Sequence, residues 1–315
     1  MKIKKEYIIL IIIIAGLLGY LYFNRTDRVH YQLPDVPAID TKDIARIEIV
    51  SGSESIVLNK KDEAWLISEK EYVADAKKAE DMLAAFKDLT ITDLVSESKN
   101  YILYDLGDDT KITVKAYEGS KTVRGFDIGK KAPTQRHTFI RLEGDDKVYQ
   151  ANGDLRKDFD TTVADLRNKR VLTFTTDEIT SLTIAAADKE VTVSKEDIPA
   201  EESGDEAAKE AKKTRWTDGS GTTIENAAVE KLLGTLSALD CQEYLDETAK
   251  TDLGSPATTI TLSGTRQYSL SLFAGDGEKR PASSSESEYV FVLPDYRLES
   301  IEKSTGELLG TSGKE

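Results

Sequence analysis

The order of apolar patterns in this chain occurs twice, and a chain that repeats over about 140 residues is built from two copies of one unit. Asp43-Ile44-Ala45-Arg46-Ile47-Glu48-Ile49 is matched by Glu178-Ile179-Thr180-Ser181-Leu182-Thr183-Ile184 at an offset of 135. Each is an acidic start followed by period-two alternation, the pattern of a half-buried strand. A second strand follows in each copy, Ile56-Val57-Leu58 and Val191-Thr192-Val193, again at 135. Then comes a tryptophan, Trp65 and Trp216, at 151. The growth of the offset by sixteen marks an insertion in the second copy, residues 194–215, SKEDIPAEESGDEAAKEAKKTR. It stands where the first copy has the turn Asn59–Glu63, and its charges and small residues predict a long solvated hairpin loop.

An amphipathic helix follows each tryptophan. In the first copy Asp75 is the expected N-cap, with Ala79, Met82, Leu83, Phe86 and Leu89 on one face at three-four spacing. In the second, Asn226 is the expected cap, and Val229, Leu232, Leu233, Leu236 and Leu239 form the stripe. Each helix leads to a Leu-Gly pair, Leu106-Gly107 and Leu253-Gly254, and then to strands at Ile112–Val114 and Ile260–Leu262. Further strands are predicted at Val123–Ile128, Thr138–Leu142 and Lys147–Gln150 in the first copy, and at Tyr268–Phe273 and Tyr289–Leu293 in the second. The last two are separated by a Gly-, Ser- and charge-rich loop. Each copy reads β-β-helix-β-β-β-β, so the body is α+β with mostly antiparallel pairing. The predicted units are residues 29–174 and 175–315, each large enough for its own core.

Ahead of the body lie seventeen residues without a charge, Tyr7 to Phe23. At about 1.5 Å rise per residue they cross most of a roughly 30 Å hydrocarbon layer. Bulky residues, Tyr20-Leu21-Tyr22-Phe23, stand where a peptidase needs a small-x-small site, so residues 1–28 read as an uncleaved signal anchor; cleavage at an atypical site is the alternative. No cysteine stands nearby to carry a lipid. Tyr7 and Phe23 mark the ends of the anchor, with Tyr20 and Tyr22 completing an interfacial aromatic belt. Lys2, Lys4 and Lys5 before the span, against Arg25 and Arg28 after it, favour an inside N-terminus and a body outside the cytoplasm.

The net charge is −15, and residues 1–28 contribute +3 through five basic and two acidic side chains, leaving −18 on the body. A body that acidic is repelled by phosphate backbones, which excludes nucleic acid as the expected partner. Cys241 is the single cysteine, so no intramolecular disulfide forms, and its neighbours Leu239 and Tyr244 suggest a buried structural thiol.

Residues with catalytic potential are sparse. His30 and His137 with one cysteine cannot make a zinc site of the usual ligand count. His137 beside Arg136 and Arg141 suits an anion or is a plain loop residue. Gly125 and Gly129 lack the rest of a phosphate loop. The Ser-x-x-Lys tetrads Ser96–Lys99 and Ser300–Lys303 lack the companion motifs of penicillin-recognising enzymes. Acidic clusters at Asp105, Asp108 and Asp109, and at Glu143, Asp145 and Asp146, lack the alternating loop and distal Glu of a dedicated calcium site. No catalytic residue, cofactor or metal ligand is assigned.

The Asp43–Ile49 strand, the Trp65 hairpin, the Asp75-capped helix, Leu106-Gly107, Phe126-Asp127-Ile128-Gly129, Tyr149 and above all Asp165-Leu166-Arg167-Asn168-Lys169-Arg170-Val171-Leu172-Thr173-Phe174 resemble the DUF4340 family. That resemblance implies a bacterial protein with an N-terminal membrane segment, encoded beside ABC-type transporters of the gliding-motility or auxiliary kind. It supplies no catalytic residue. The expected function is that of a membrane-anchored, non-enzymatic accessory or binding protein, with an ABC transporter permease or another envelope protein as partner. The alternatives are a cell-envelope hydrolase with paired carboxylates, and a structural spacer.

Overall fold

The computed structural model describes residues 5–23, 31–197, 214–275 and 279–310. The chain divides into two compact units between Thr162 and Val163. Ahead of the first sheet, helix α1 covers Lys5–Phe23, about 28 Å long at 1.5 Å per residue. The side chains described within it are Leu10 and residues 12–20; those of Tyr7 and Phe23, like His30, lie outside the described residues. Among the described residues, no helix is long and apolar enough to cross a membrane.

In the first unit, β1 (Arg46–Ser51), β2 (Glu54–Lys61), β3 (Ala64–Ile67) and β4 (Tyr72–Val73) form an antiparallel meander. Helix α2 (Ala76–Lys87) and β5 (Ile91–Ser96) follow, then β6 (Ile112–Glu118), β7 (Lys121–Lys131), β8 (His137–Leu142), β9 (Val148–Asn152) and the single-turn α3 (Arg156–Phe159). The sheet order is β4-β3-β2-β1-β6-β7-β8-β9-β5, with every pair antiparallel. Alternation in β1 buries Ile47 and Ile49 and leaves their neighbours half-exposed, as a one-sided sheet requires. Asp75 caps α2 by accepting from the Lys78 amide at 3.1 Å, and Ala79, Met82 and Phe86 turn inward. Phe86 meets Phe126 and Phe159 edge to face, with ring centres 5.5 and 5.3 Å apart. This cluster brings helix, sheet and the closing turn α3 together.

The second unit comprises α4 (Val163–Leu166), β10 (Arg170–Thr173), β11 (Ser181–Ala186), β12 (Lys189–Asp197), β13 (Thr214–Asp218), β14 (Thr223–Ile224) and α5 (Asn226–Leu236). It continues with β15 (Ala238–Asp240), β16 (Glu243–Tyr244), β17 (Thr258–Ser263), β18 (Gln267–Leu272), β19 (Pro281–Ser284), β20 (Phe291–Val292) and α6 (Asp295–Leu308). Its main sheet runs β14-β13-β12-β11-β17-β18-β19-β20-β16, which repeats the first sheet position by position. The mostly antiparallel α+β architecture is therefore present twice, down to the strand before the Leu-Gly pair returning to the far edge in each sheet.

Several details differ from the sequence reading. The division falls after Thr162 and not after Phe174, because β10 pairs with β15 and sends Val171 and Leu172 into the second core. The insertion is partly strand: Ser194–Asp197 extend β12, and Thr214 and Arg215 begin β13, in continuous register from Ser194↔Thr217 to Asp197↔Thr214. Residues 198–213, the middle of the expected loop, lie outside the described residues. Asn226 is not the N-cap of α5, which is Glu225; its amide accepts from the Trp216 amide at 3.2 Å and donates to the Thr214 carbonyl at 3.1 Å, fastening helix to strand. A strand, β19, occupies the polar loop between the last two predicted strands, and a fourteen-residue helix, α6, closes the unit where the first has only α3. Small polar residues at Pro281–Ser284 carry little strand signal, yet Ala282 and Ser284 are buried against the core.

Candidate functional site

Two concavities carry the chemistry, one in each unit. The first, about 370 Å³, opens on β6, β7 and β8 and the turn after β8. Cross-strand register lines up Thr113, Asp127 and Arg141 as direct neighbours on three adjacent strands. Asp127, only 8% exposed, accepts from the Thr113 hydroxyl at 2.6 Å and from the Arg141 Nε at 3.0 Å, with the Lys111 ammonium 3.9 Å away. Two residues along, Lys115 reaches Glu143 at 2.7 Å across the position of Gly125. A Cβ on Gly125 would lie 2.4 Å from the Glu143 carboxylate, so the glycine leaves room for the Glu143 side chain to lie in this position.

Tyr101 packs against two of the lining residues, Arg141 and Asp146. Its ring lies 4.5 Å from the Arg141 guanidinium carbon, and its hydroxyl donates to the Asp146 carbonyl at 2.9 Å. Asp146 is held ionised below the usual carboxylate range by a hydrogen bond from the Lys99 ammonium, reinforced by that group's charge. Tyr149 donates to Asp145 at 2.7 Å, and burial together with that bond pushes its phenol upward. Lys111, Lys115 and Arg141 thus each hold a carboxylate. The charges on this surface are mutually satisfied, with little free charge left to hold an anion.

The second concavity, about 270 Å³, is built around Arg167 in the second unit. Arg167 is 4% exposed, with its guanidinium carbon 3.9 Å from the Tyr244 ring centre and 4.7 Å from that of Tyr289. Its Nη1 donates to both oxygens of Asp246, at 2.7 and 2.9 Å. Asn168 and Lys169 stitch the same strap down: Tyr244 donates to the Asn168 carbonyl at 2.8 Å, and Lys169 to the Gln242 carbonyl at 3.0 Å. Leu166, Val171 and Leu172 are buried beneath it. The Asp165–Phe174 segment is therefore an architectural clasp whose Arg167 is sealed against two rings that themselves meet edge to face.

The other residues weighed for chemistry do not assemble. The His137 ring pairs with the Thr134 hydroxyl at 3.0 Å, while Arg141 is taken by Asp127, so no shared anion site forms between them. Ser96 meets Ser98 while Lys99 goes to Asp146, which leaves that tetrad without a serine–lysine contact. Asp108 holds Lys111 at 2.7 Å, and among the described residues no group of three or more metal-ligating side chains comes together. The roles of Asp127 and Arg167 were missed from sequence. The available signal was a charge set in an apolar alternation, as in Phe126-Asp127-Ile128, which demands a buried partner.

Cys241 lies at the end of β15, buried, with its thiol pushed up to about 11 chiefly by burial. Only about a thousandth of it is then ionised at pH 8. Iodoacetamide should leave the native protein largely unmodified over a period that fully labels the urea-unfolded chain. Native labelling at the unfolded rate would mean that this core opens freely.

A family model described as a domain of unknown function, DUF4340, matches residues 65–257, more than half of the chain. The match starts at Trp65 in β3 and ends just before β17, so the Asp43–Ile49 strand lies outside it. Comparison with curated proteins gave no match.

Proposed function

The chain belongs to the DUF4340 family, and from that premise we propose that it is a membrane-anchored accessory protein of the cell envelope. Its duplicated body stands outside the cytoplasm and binds a component of an ABC-type transport system. The observation that carries this reading is α1, where Leu10, Ile12, Ile13, Ile14, Leu17 and Leu18 are all between 47 and 65% exposed. Within the described side chains of the helix, apolar groups this exposed are matched by hydrocarbon and not by water. Together with Tyr7 and Phe23 at its ends and the lysines before it, the helix supports a single span with its N-terminus inside. The transporter link comes from the family resemblance.

The first concavity supports binding over a spacer role, since a spacer needs none. An envelope hydrolase would need two carboxyl groups facing across a cleft at roughly 5 to 9.5 Å, one of them held protonated. In the first concavity Asp127, Glu143 and Asp146 are each engaged by a cation, and Asp145 by a tyrosine, which favours recognition over acid catalysis. Crosslinking in intact cells, followed by purification of the full chain from membranes, tests the proposal. Permease or ATPase subunits should be recovered with it, and a chain that always comes out alone removes the transporter role.

A further inference from the structure

Outside α1, the most exposed apolar side chain among the described residues is Ile102, at 80%, and its neighbour Leu103 is 58% exposed. They form the tip of a 3₁₀ turn, Tyr101–Tyr104, that is firmly seated. The Leu106 amide donates to the Tyr101 carbonyl at 3.0 Å, the Tyr101 hydroxyl is fixed on Asp146, and Tyr104 packs edge to face on Phe139 with ring centres 5.0 Å apart. Two bulky apolar side chains are thus held out in water by a rigid mount.

The repeat supplies an internal control. Counting back from Leu106-Gly107 and Leu253-Gly254, Ile102 and Leu103 correspond to Ala249 and Lys250. Lys250 folds back, and its ammonium donates to the Ser284 and Ser287 carbonyls. The shared topology therefore does not need an apolar tip here; only the first unit has one.

The first unit is also the one that the tether joins. Tyr31 donates to Asp93 at 3.2 Å, on the edge strand β5, and Arg124 donates to the Pro37 carbonyl. Only seven residues, 24–30, separate the end of α1 from Tyr31, so that point lies at most about 29 Å from Phe23. The edge strand that receives the tether leads directly into the Tyr101–Tyr104 turn. We infer that Ile102 and Leu103 insert into the outer leaflet beside the α1 anchor and hold the first unit against the membrane, with Tyr101 and Tyr104 at headgroup level. The leaflet and the position assigned to the tip rest on the anchor proposed above. Asp105, Asp108 and Asp109 flank the tip, so the leaflet that suits it is zwitterionic and anionic lipid weakens it.

The full chain reconstituted in phosphatidylcholine vesicles, with and without bromine on the upper acyl chain, separates the possibilities. Trp65 and Trp216 are buried and set the baseline. An Ile102→Trp variant should lose roughly half of its added emission in brominated lipid. A Lys250→Trp variant should lose none, and the loss at 102 should shrink as phosphatidylglycerol is added. Equal emission of the Ile102→Trp variant in both lipids overturns the insertion. So does a tryptophan there that stays open to acrylamide in pure lipid but is shielded in native membranes, which would assign the tip to a protein partner. An alkaline wash after the optical reading tests the anchor separately: a chain that is quenched yet washes off keeps the insertion and loses the span. A chain that never joins the vesicles loses both.

Discussion

Arg167→Ala is expected to destabilise the second unit by about 3 kcal/mol, the combined result of lost contacts with the Tyr244 and Tyr289 rings, an emptied space at the corner those two rings form, and Asp246 left without its partner. For a unit of this size that lowers Tm by roughly 6–12 °C. The side chain is nearly sealed from water, whereas Asp246 remains about one-third exposed, so solvent recovers part of the carboxylate's loss and caps the effect. Arg167→Lys should restore less than half, because a compact ammonium cannot lie against both rings while reaching both carboxylate oxygens. In a Trp65→Phe background, Trp216 is the sole tryptophan and follows the second unit alone. A shift of Tm within experimental error for Arg167→Ala would show that the stacked arrangement contributes nothing and that the clasp stands on Leu166, Val171 and Leu172.

Gly129→Ala should cost the first unit about 2–4 kcal/mol, although it adds a single methyl group. A Cβ there would lie 2.2 Å from the Tyr104 carbonyl oxygen, 2.9 Å from the Leu106 side chain and 3.2 Å from the Phe139 carbonyl. Two of those three are backbone atoms, so the obstruction cannot be relieved by a rotamer. The Tyr101–Tyr104 turn must lift from β7, breaking the contacts of Tyr101 with Asp146 and of Tyr104 with Phe139. Urea unfolding followed through Trp65 in a Trp216→Phe background reads the loss. Gly107→Ala is the matched control, since its Cβ would meet nothing closer than 3.7 Å. Equal midpoints for the two variants would mean that the turn is not clamped onto the strand.

Both residues belong to segments that carry the family resemblance, Phe126–Gly129 and Asp165–Phe174, and both prove to be packing devices. The same short segment can therefore serve both packing and a candidate site: Asp127 lines the first concavity, while Gly129, two residues on, is a packing contact. The part that distinguishes the copies is more informative: Ile102 and Leu103 in one, Ala249 and Lys250 in the other, on the same turn of the same topology.

Much of the fold was legible in the residues because periodicity is a local property. Alternation at Ile47 and Ile49 and at Leu182 and Ile184, the three-four stripe from Ala79 to Phe86, and the Asp75 cap each concern groups within a few positions of one another. The strand β19 and the boundary after Thr162 were not legible. Ala282 and Ser284 become core only by lying beside β18 and β20, and Val171 and Leu172 join the second unit only through β15.

The amino-acid order alone determined that the body is a duplication, that each copy alternates strands around one helix, that an uncharged segment precedes them, and that the acidity sits on the body. Only the tertiary structure decided that β5 and β16 return to the far edges, that Thr113, Asp127 and Arg141 share one row, and that Arg167 meets an aspartate 79 residues away. The physical reason is that burial and periodicity follow from a residue's own chemistry and its near neighbours. The pairing of charges follows from strand register, which depends on the packing of the whole sheet.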